Sequence, residues 1–210
     1  MTIADAIPAV PPAYRPSAGR EPMWDVLQLF PGRGEWTEAD YFALNTNRLV
    51  ELVAGSIEVL PMPTELHQNI AWFLCTLLKA FIKADEQAMA LMSPFSIRLW
   101  PGHIRQPDVV YMAGRNAHRR HGNVWDGADL AVEVVSEDDP NRDLRVKRAE
   151  YAVARIPEYW IIDPRPQTVT VLRLDGDQYA VAGTYAPGDT AASVLLPGFT
   201  VDVSDIFNAR

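Results

Sequence analysis

The chain has one cysteine, no apolar run long enough to cross a bilayer and no excess of basic charge, and each shortage removes a class of answer. Cys75 alone cannot close an internal disulfide, and its place among helical apolar residues reads as a small core residue rather than a nucleophile. The longest apolar stretches, such as Ile70 to Leu78, stop well short of the roughly 20 residues that a membrane span needs. Met1 to Val10 lacks a basic start and carries Asp5, so no export signal is expected. A protein of the reducing cytoplasm, with no membrane association, follows as the expectation. The formal charge of -8 excludes coating nucleic acid by charge alone. The four histidines, His67, His103, His118 and His121, lack a zinc-ligand spacing, and no glycine-rich loop suited to cradling phosphates is present.

What remains is enough chain, 210 residues with 48% apolar content, for one well-buried globular domain. Residues 1–22 hold Pro8, Pro11, Pro12, Pro16 and Pro22 with little periodicity, which predicts a weakly ordered arm ahead of a single domain over 23–210. Thr37 with an acidic first turn predicts a short helix through Leu44. Arg48 to Val53 and Ser56 to Leu60 alternate around Ala54-Gly55 as a hairpin. After Thr64, the residues Ile70, Phe73, Leu74, Leu77, Leu78 and Phe81 recur at helical spacing on one face. Ala88 to Trp100 reads as a strand with an interruption at Ser93-Pro94. Strands at Asp108 and Glu133 follow, and Asp139-Pro140 opens a helix through about Ala154. Glu158 to Asp163, Thr168 to Leu174 and Gln178 to Tyr185 read as three more strands. The central strands lack polar alternation, so a mixed α/β sheet covered on both faces by helices is expected.

Two of those strands carry a carboxylate inside apolar sequence. Pro107 cannot donate to a ladder, so Asp108 lies at a strand start or an irregularity, either open to a ligand or capping a turn. Glu133 is flanked by Leu130, Val132, Val134 and Val135, and a glutamate buried there needs a cation or a proton. Lys147, three positions after Leu144 and four before Tyr151, falls on their inward stripe; an ion pair with Asp143 is the competing account. Two carboxylates and a lysine suit phosphodiester hydrolysis, with a hard cation, Mg²⁺ or Mn²⁺, held through oxygen and the ammonium set against developing charge. The basic clusters, Arg115 with Arg119 and Arg120, and Arg142 with Arg145, Lys147 and Arg148, read either as solvated surface or as a modest phosphate-facing surface.

At these residues the chain resembles the PD-(D/E)XK nuclease superfamily, also called restriction-endonuclease-like, and within it the bacterial Uma-type restriction endonuclease family. The resemblance runs from about Tyr41 to Leu174, through Leu49-Val50-Glu51-Leu52-Val53-Ala54-Gly55, Pro63-Thr64-Glu65-Leu66-His67, Pro107-Asp108, Val132-Glu133-Val134-Val135-Ser136, Asp143 to Lys147 with Tyr151, and Glu158-Tyr159-Trp160. It implies a restriction-endonuclease-like core, with a mixed central sheet flanked by helices. It implies a Mg²⁺- or Mn²⁺-dependent endodeoxyribonuclease, with Asp108 and Glu133 as metal ligands. The superfamily lysine lies two residues after the glutamate, where this chain has Val135; in the Uma-type pattern a lysine on the next helix replaces it, and Lys147 holds that place. Glu51 matches an acidic position and is either a third metal carboxylate or a surface residue of the hairpin. His67 matches as well, as a contact to a metal water or phosphate or as a helix-end residue. DNA is the implied substrate, and analogy with other enzymes on this fold suggests a homodimer. The alternative is a non-catalytic module that keeps the fold and binds nucleic acid or protein.

Overall fold

The computed structural model describes residues 34–210 apart from Asn45 and Asn47, so the expected arm over 1–22 lies outside the described residues. Helix α1, Glu38–Ala43, starts at a capping box: the Thr37 hydroxyl accepts from the Asp40 amide, while the Asp40 carboxylate accepts from the Thr37 amide at 3.0 Å. It buries Tyr41 against the hairpin of β1, Val50–Val53, and β2, Ser56–Val59. Ala54 and Gly55 turn that hairpin with φ of 48° and 71°, the left-handed pair that a tight two-residue turn requires.

The long helix α2, Glu65–Phe81, is capped by the Thr64 side chain, which accepts from the His67 amide at 3.2 Å. Its inner face is Ile70, Leu74 and Leu78, each 3% exposed or less. The stretch expected as one interrupted strand divides into β3, Met89–Met92, and β4, Ser96–Trp100, which belong to different sheets. Pro94 has no N–H to offer a ladder, and the chain leaves one sheet for the other there.

One six-stranded sheet runs β2-β1-β5-β4-β8-β7, with β5 at His103–Arg105, β7 at Arg120–His121 and β8 at Val124–Asp126. The other runs β12-β11-β10-β9-β6-β3, with β6 at Val109–Met112, β9 at Leu130–Val134, β10 at Glu158–Asp163, β11 at Thr168–Asp175 and β12 at Gln178–Tyr185. Each sheet is antiparallel except for one parallel pair, β4 with β8 and β9 with β10. The β9–β10 crossover carries a π-helical stretch, Arg142–Lys147, that continues into α3, Arg148–Val153. A small pair, β13 at Thr190–Ala192 and β14 at Thr200–Asp202, and the short α4, Val203–Phe207, close the chain; no sequence signal was read for them.

The fold is mixed α/β with helices on both faces of the second sheet, as expected, and what the expectation lacked is the first sheet, which shares one of those faces with α3. Helix α2 and the C-terminal segment cover one face, through Ile70, Leu74, Trp160 and Phe199. The other face packs on the first sheet and α3, through Ile97, Trp125, Ala131, Tyr151 and Tyr159. The central strands are buried on both faces for either reason, which is why alternation alone did not separate a helix layer from a second sheet.

Candidate active site

Strand register brings the two carboxylates together. In the antiparallel pair β6–β9, Val109 stands opposite Val132, so one step outward along the same register sets Asp108 level with Glu133. Alternation then decides the face: Glu133 shares the side of Ala131 and Val135, which pack in the core between the sheets. The Val134 amide donates to Asp108 Oδ2 at 2.7 Å and fixes the aspartate beyond the end of its strand.

Lys147 comes from the crossover. Asp143, Lys147 and Tyr151 recur at intervals of four through the π-helical turn and into α3, and all three are buried. π-Helical turns occur mostly as single turns, frequently at functional sites. The Lys147 ammonium stands 2.9 Å from Glu133 Oε2, 3.4 Å from Asp143 Oδ1 and 3.8 Å from Glu51 Oε1. Tyr151 donates to the other oxygen of Glu133 at 2.5 Å. The ion pair with Asp143 is thus present together with the inward orientation, rather than as an alternative to it.

The cluster is electrostatically loaded. Burial, with Asp108 and Asp143 nearby, pushes the pKa of Glu133 well above the usual carboxylate range, although Lys147 and Tyr151 act the other way. Burial likewise raises Asp143, against the pull of Lys147. For Lys147, burial disfavours the charge, but Glu133, Glu51, Asp143 and Asp108 outweigh it, so the pKa rises and the side chain is an ammonium at neutral pH. His67 Nε2 lies 2.8 Å from Asp108 Oδ1; burial lowers its pKa, the bond to Asp108 raises it, and the net direction is up.

Glu51 lies on β1, fully buried, and both of its oxygens are engaged. Arg105 Nη1 donates to Oε2 at 2.7 Å, and the Gln106 amide donates to Oε1 at 2.8 Å. Arg105 also binds Glu58 at 2.9 Å and grips Glu150 of α3 with two bonds of 2.8 Å. This guanidinium ties the first sheet to the helix that presents Lys147. Sequence reading passed over Arg105 and treated Asp143 only as a rival partner for the lysine. The spacing of Asp143, Lys147 and Tyr151 was the available signal for the latter; for Arg105 there was none, because its partners are 45 or more residues away.

Asp108, Glu133, Asp143, Lys147 and His67 all line one cavity of about 300 Å³, whose remaining wall is mostly apolar. Among the described residues no three Asp, Glu, His or Cys side chains converge as a ready-made metal cage. The donors that do face the cavity, the carboxylates of Asp108, Glu133 and Asp143, keep lone pairs beyond the hydrogen bonds they accept, and burial together with their mutual repulsion raises Glu133; such a set fits a hard divalent cation, which commonly takes one or two carboxylates and fills its other positions with water and substrate phosphate.

A family model described as "Uma2: Putative restriction endonuclease" matches residues 38–204. Among solved structures, a crystal structure titled as a "putative nuclease belonging to DUF820" from Anabaena variabilis is similar, with a TM-score of 0.69 at 20% identity, covering 82% of this chain and 97% of that one. Comparison with curated protein sequences found no match. The structural likeness bears on the fold, whereas the family match spans both sheets and every residue of the cluster just described. The chain therefore belongs to the Uma2 family of restriction-endonuclease-like proteins, a membership that supports a nuclease role.

Proposed function

We propose that this protein is an endonuclease that hydrolyses DNA phosphodiester bonds, with Asp108 and Glu133 holding a divalent cation, Mg²⁺ or Mn²⁺, and Lys147 supplying fixed positive charge. The observation that carries the reading is the buried Lys147 ammonium 2.9 Å from Glu133, on a cavity that Asp108 also lines. A surface salt bridge has little reason to be buried in this way, since desolvating both ions is costly unless the arrangement serves something further. When bound, the cation supplies charge against the phosphoryl oxygens and lowers the pKa of water.

In the hydrolysis, a water oxygen bonds to phosphorus and gives up a proton to solvent, the bond from phosphorus to one ester oxygen breaks, and that oxygen leaves as a hydroxyl by taking a proton back from solvent, so that one water is consumed. Lys147, held as an ammonium, is a poor proton acceptor; its part is to orient the water and to stabilise negative charge growing on the phosphoryl group. His67, bonded to Asp108 and facing the cavity, is placed to orient the aspartate or to meet a phosphate oxygen. We assign Glu51 the support of Lys147 rather than a direct bond to the cation, because it stands behind the lysine, paired with Arg105, and does not line the cavity that Asp108 and Glu133 share. Asp143 we assign to the same support from the cavity side.

The test is cleavage of plasmid and oligonucleotide DNA by the purified full chain with Mg²⁺ or Mn²⁺. Loss of cutting in Asp108→Asn and in Glu133→Gln, both still folded, is the expected result. Cutting by either variant at the parent rate would remove the reading, as would a parent inert toward every DNA tried.

A further inference from the structure

The proposed reacting groups are recessed. Glu133 and Lys147 are only 2% and 3% exposed, at a cavity walled largely by apolar side chains such as Leu60, Met62, Ala71 and Met92. Its volume is about 300 Å³, at the lower end of the range for small-molecule pockets. In a duplex each phosphate is tied to a stacked, paired base, and bending or unstacking the duplex to carry it inward costs energy that an unpaired strand does not pay. An unpaired nucleotide can turn about its backbone and carry its phosphate inward while its base rests on an apolar wall.

A second observation lies on the outer face of α2. Gln68 lines the cavity, and one helical turn further stands Trp72, 65% exposed. The inner face of the helix is already made by Ile70, Leu74 and Leu78, so packing among the described residues gives no reason for a tryptophan there. The same outer face continues to Thr76 and Lys79, both exposed, and the helix carries no acidic residue after Glu65. An aromatic followed by a lysine, leading away from a recessed phosphate-cleaving site, is the layout that single strands bind: bases stack on exposed rings, and cations follow the backbone.

We propose that the substrate is DNA with unpaired nucleotides at the cleavage point. The scissile phosphate faces Asp108, Glu133 and Lys147, its base lies against the apolar cavity wall, and the strand leaves along α2 with a base on Trp72 and a phosphate near Lys79. The proposal rests on the nuclease reading above.

Three end-labelled substrates of one sequence test it with the full chain and Mn²⁺ or Mg²⁺: a single strand, a duplex with a central bubble and a perfect duplex. The single strand and the bubble are expected to be cut about tenfold faster or more than the duplex, in keeping with the strength of base stacking on aromatic side chains. Trp72→Ala is expected to reduce that preference about tenfold, and Trp72→Phe to restore most of it. Equal cutting of all three substrates overturns the proposal and leaves the nuclease reading standing. So does an unchanged preference in Trp72→Ala, including the case in which light scattering shows that the substitution dissociates a dimer, which would assign Trp72 to self-association. Should no substrate be cut, the nuclease reading falls separately, and anisotropy decides the strand surface. Tighter binding of the single strand that depends on Trp72 supports it, and equal or absent binding overturns it.

Discussion

Tyr151 of α3 donates a hydrogen bond from its hydroxyl to Oε1 of Glu133 on β9 at 2.5 Å, the two residues lying 18 positions apart in sequence. The phenol is held protonated, since burial and then the Glu133 charge push its pKa well above the ordinary value. It is therefore a fixed donor to a carboxylate that burial disfavours as an anion. Together with Lys147 at the other oxygen, it keeps the glutamate in one orientation toward the cavity.

Tyr151→Phe keeps the ring and its edge-to-face packing on Tyr159, whose centroid is 5.2 Å away, and removes only the donor. Leaving that buried acceptor short of one bond is expected to destabilise the fold by about 1–3 kcal/mol. Urea denaturation measures the change; a variant as stable as the parent would mean that water replaces the phenol.

Lys147→Met leaves Glu133 buried without its cation, and breaking a buried pair from one side costs about 3–5 kcal/mol. Adding Glu133→Gln removes one of the two buried carboxylates left without that cation, Asp143 being the other, so the double variant is expected to regain part of the lost stability while regaining no DNA cleavage. Parallel melting and cleavage assays on the two single variants and the double variant decide this. Recovery of activity along with stability would make the pair structural only.

Acid stability is expected to depend on Glu150. Burial raises its pKa, but His103 and the two bonds from Arg105 outweigh that and bring it from 4.5 down to about 2. A pKa lower in the folded than in the unfolded state means stability that is fully present above about 4.5 and lost as pH falls through about 2. Stability of the parent should therefore decline over that window, and Glu150→Gln, less stable at neutral pH, should decline less steeply there. Matching slopes in denaturant titrations at pH 5, 4 and 3 would remove Glu150 from the account.

Legibility from sequence followed the range of the interactions. The capped helix after Thr64, the turn at Ala54-Gly55 and the last three long strands rest on local periodicity and turn chemistry, and all appear as read. Asp108 and Glu133 were visible because each contradicts its apolar surroundings, and Lys147 because helical spacing puts it on the inward stripe of Leu144 and Tyr151; the structure brings all three to one cavity. The first sheet was hidden because its strands β5, β7 and β8 have three residues or fewer, too short for alternation to register. Arg105 was hidden for a different reason, since nothing near it in sequence marks it as the partner of three glutamates. The π-helical turn also escaped notice: helical spacing placed Lys147 on the correct side, but the wider turn that carries it leaves no sequence signature.

The order of the charged residues along the chain has a consequence for synthesis. Glu51, Asp108, Glu133 and Asp143 all leave the ribosome before Lys147, and until then the basic partners they have among the described residues are Arg105, on Glu51, and His67, on Asp108. β10, which lies between β9 and β11 in the finished sheet, follows later still. A nascent chain that ends before the crossover would thus have to bury mutually repelling carboxylates beside an unpaired sheet edge. It should stay open until Lys147 arrives, so that closure of the two sheets and neutralisation of the cluster occur as one cooperative event.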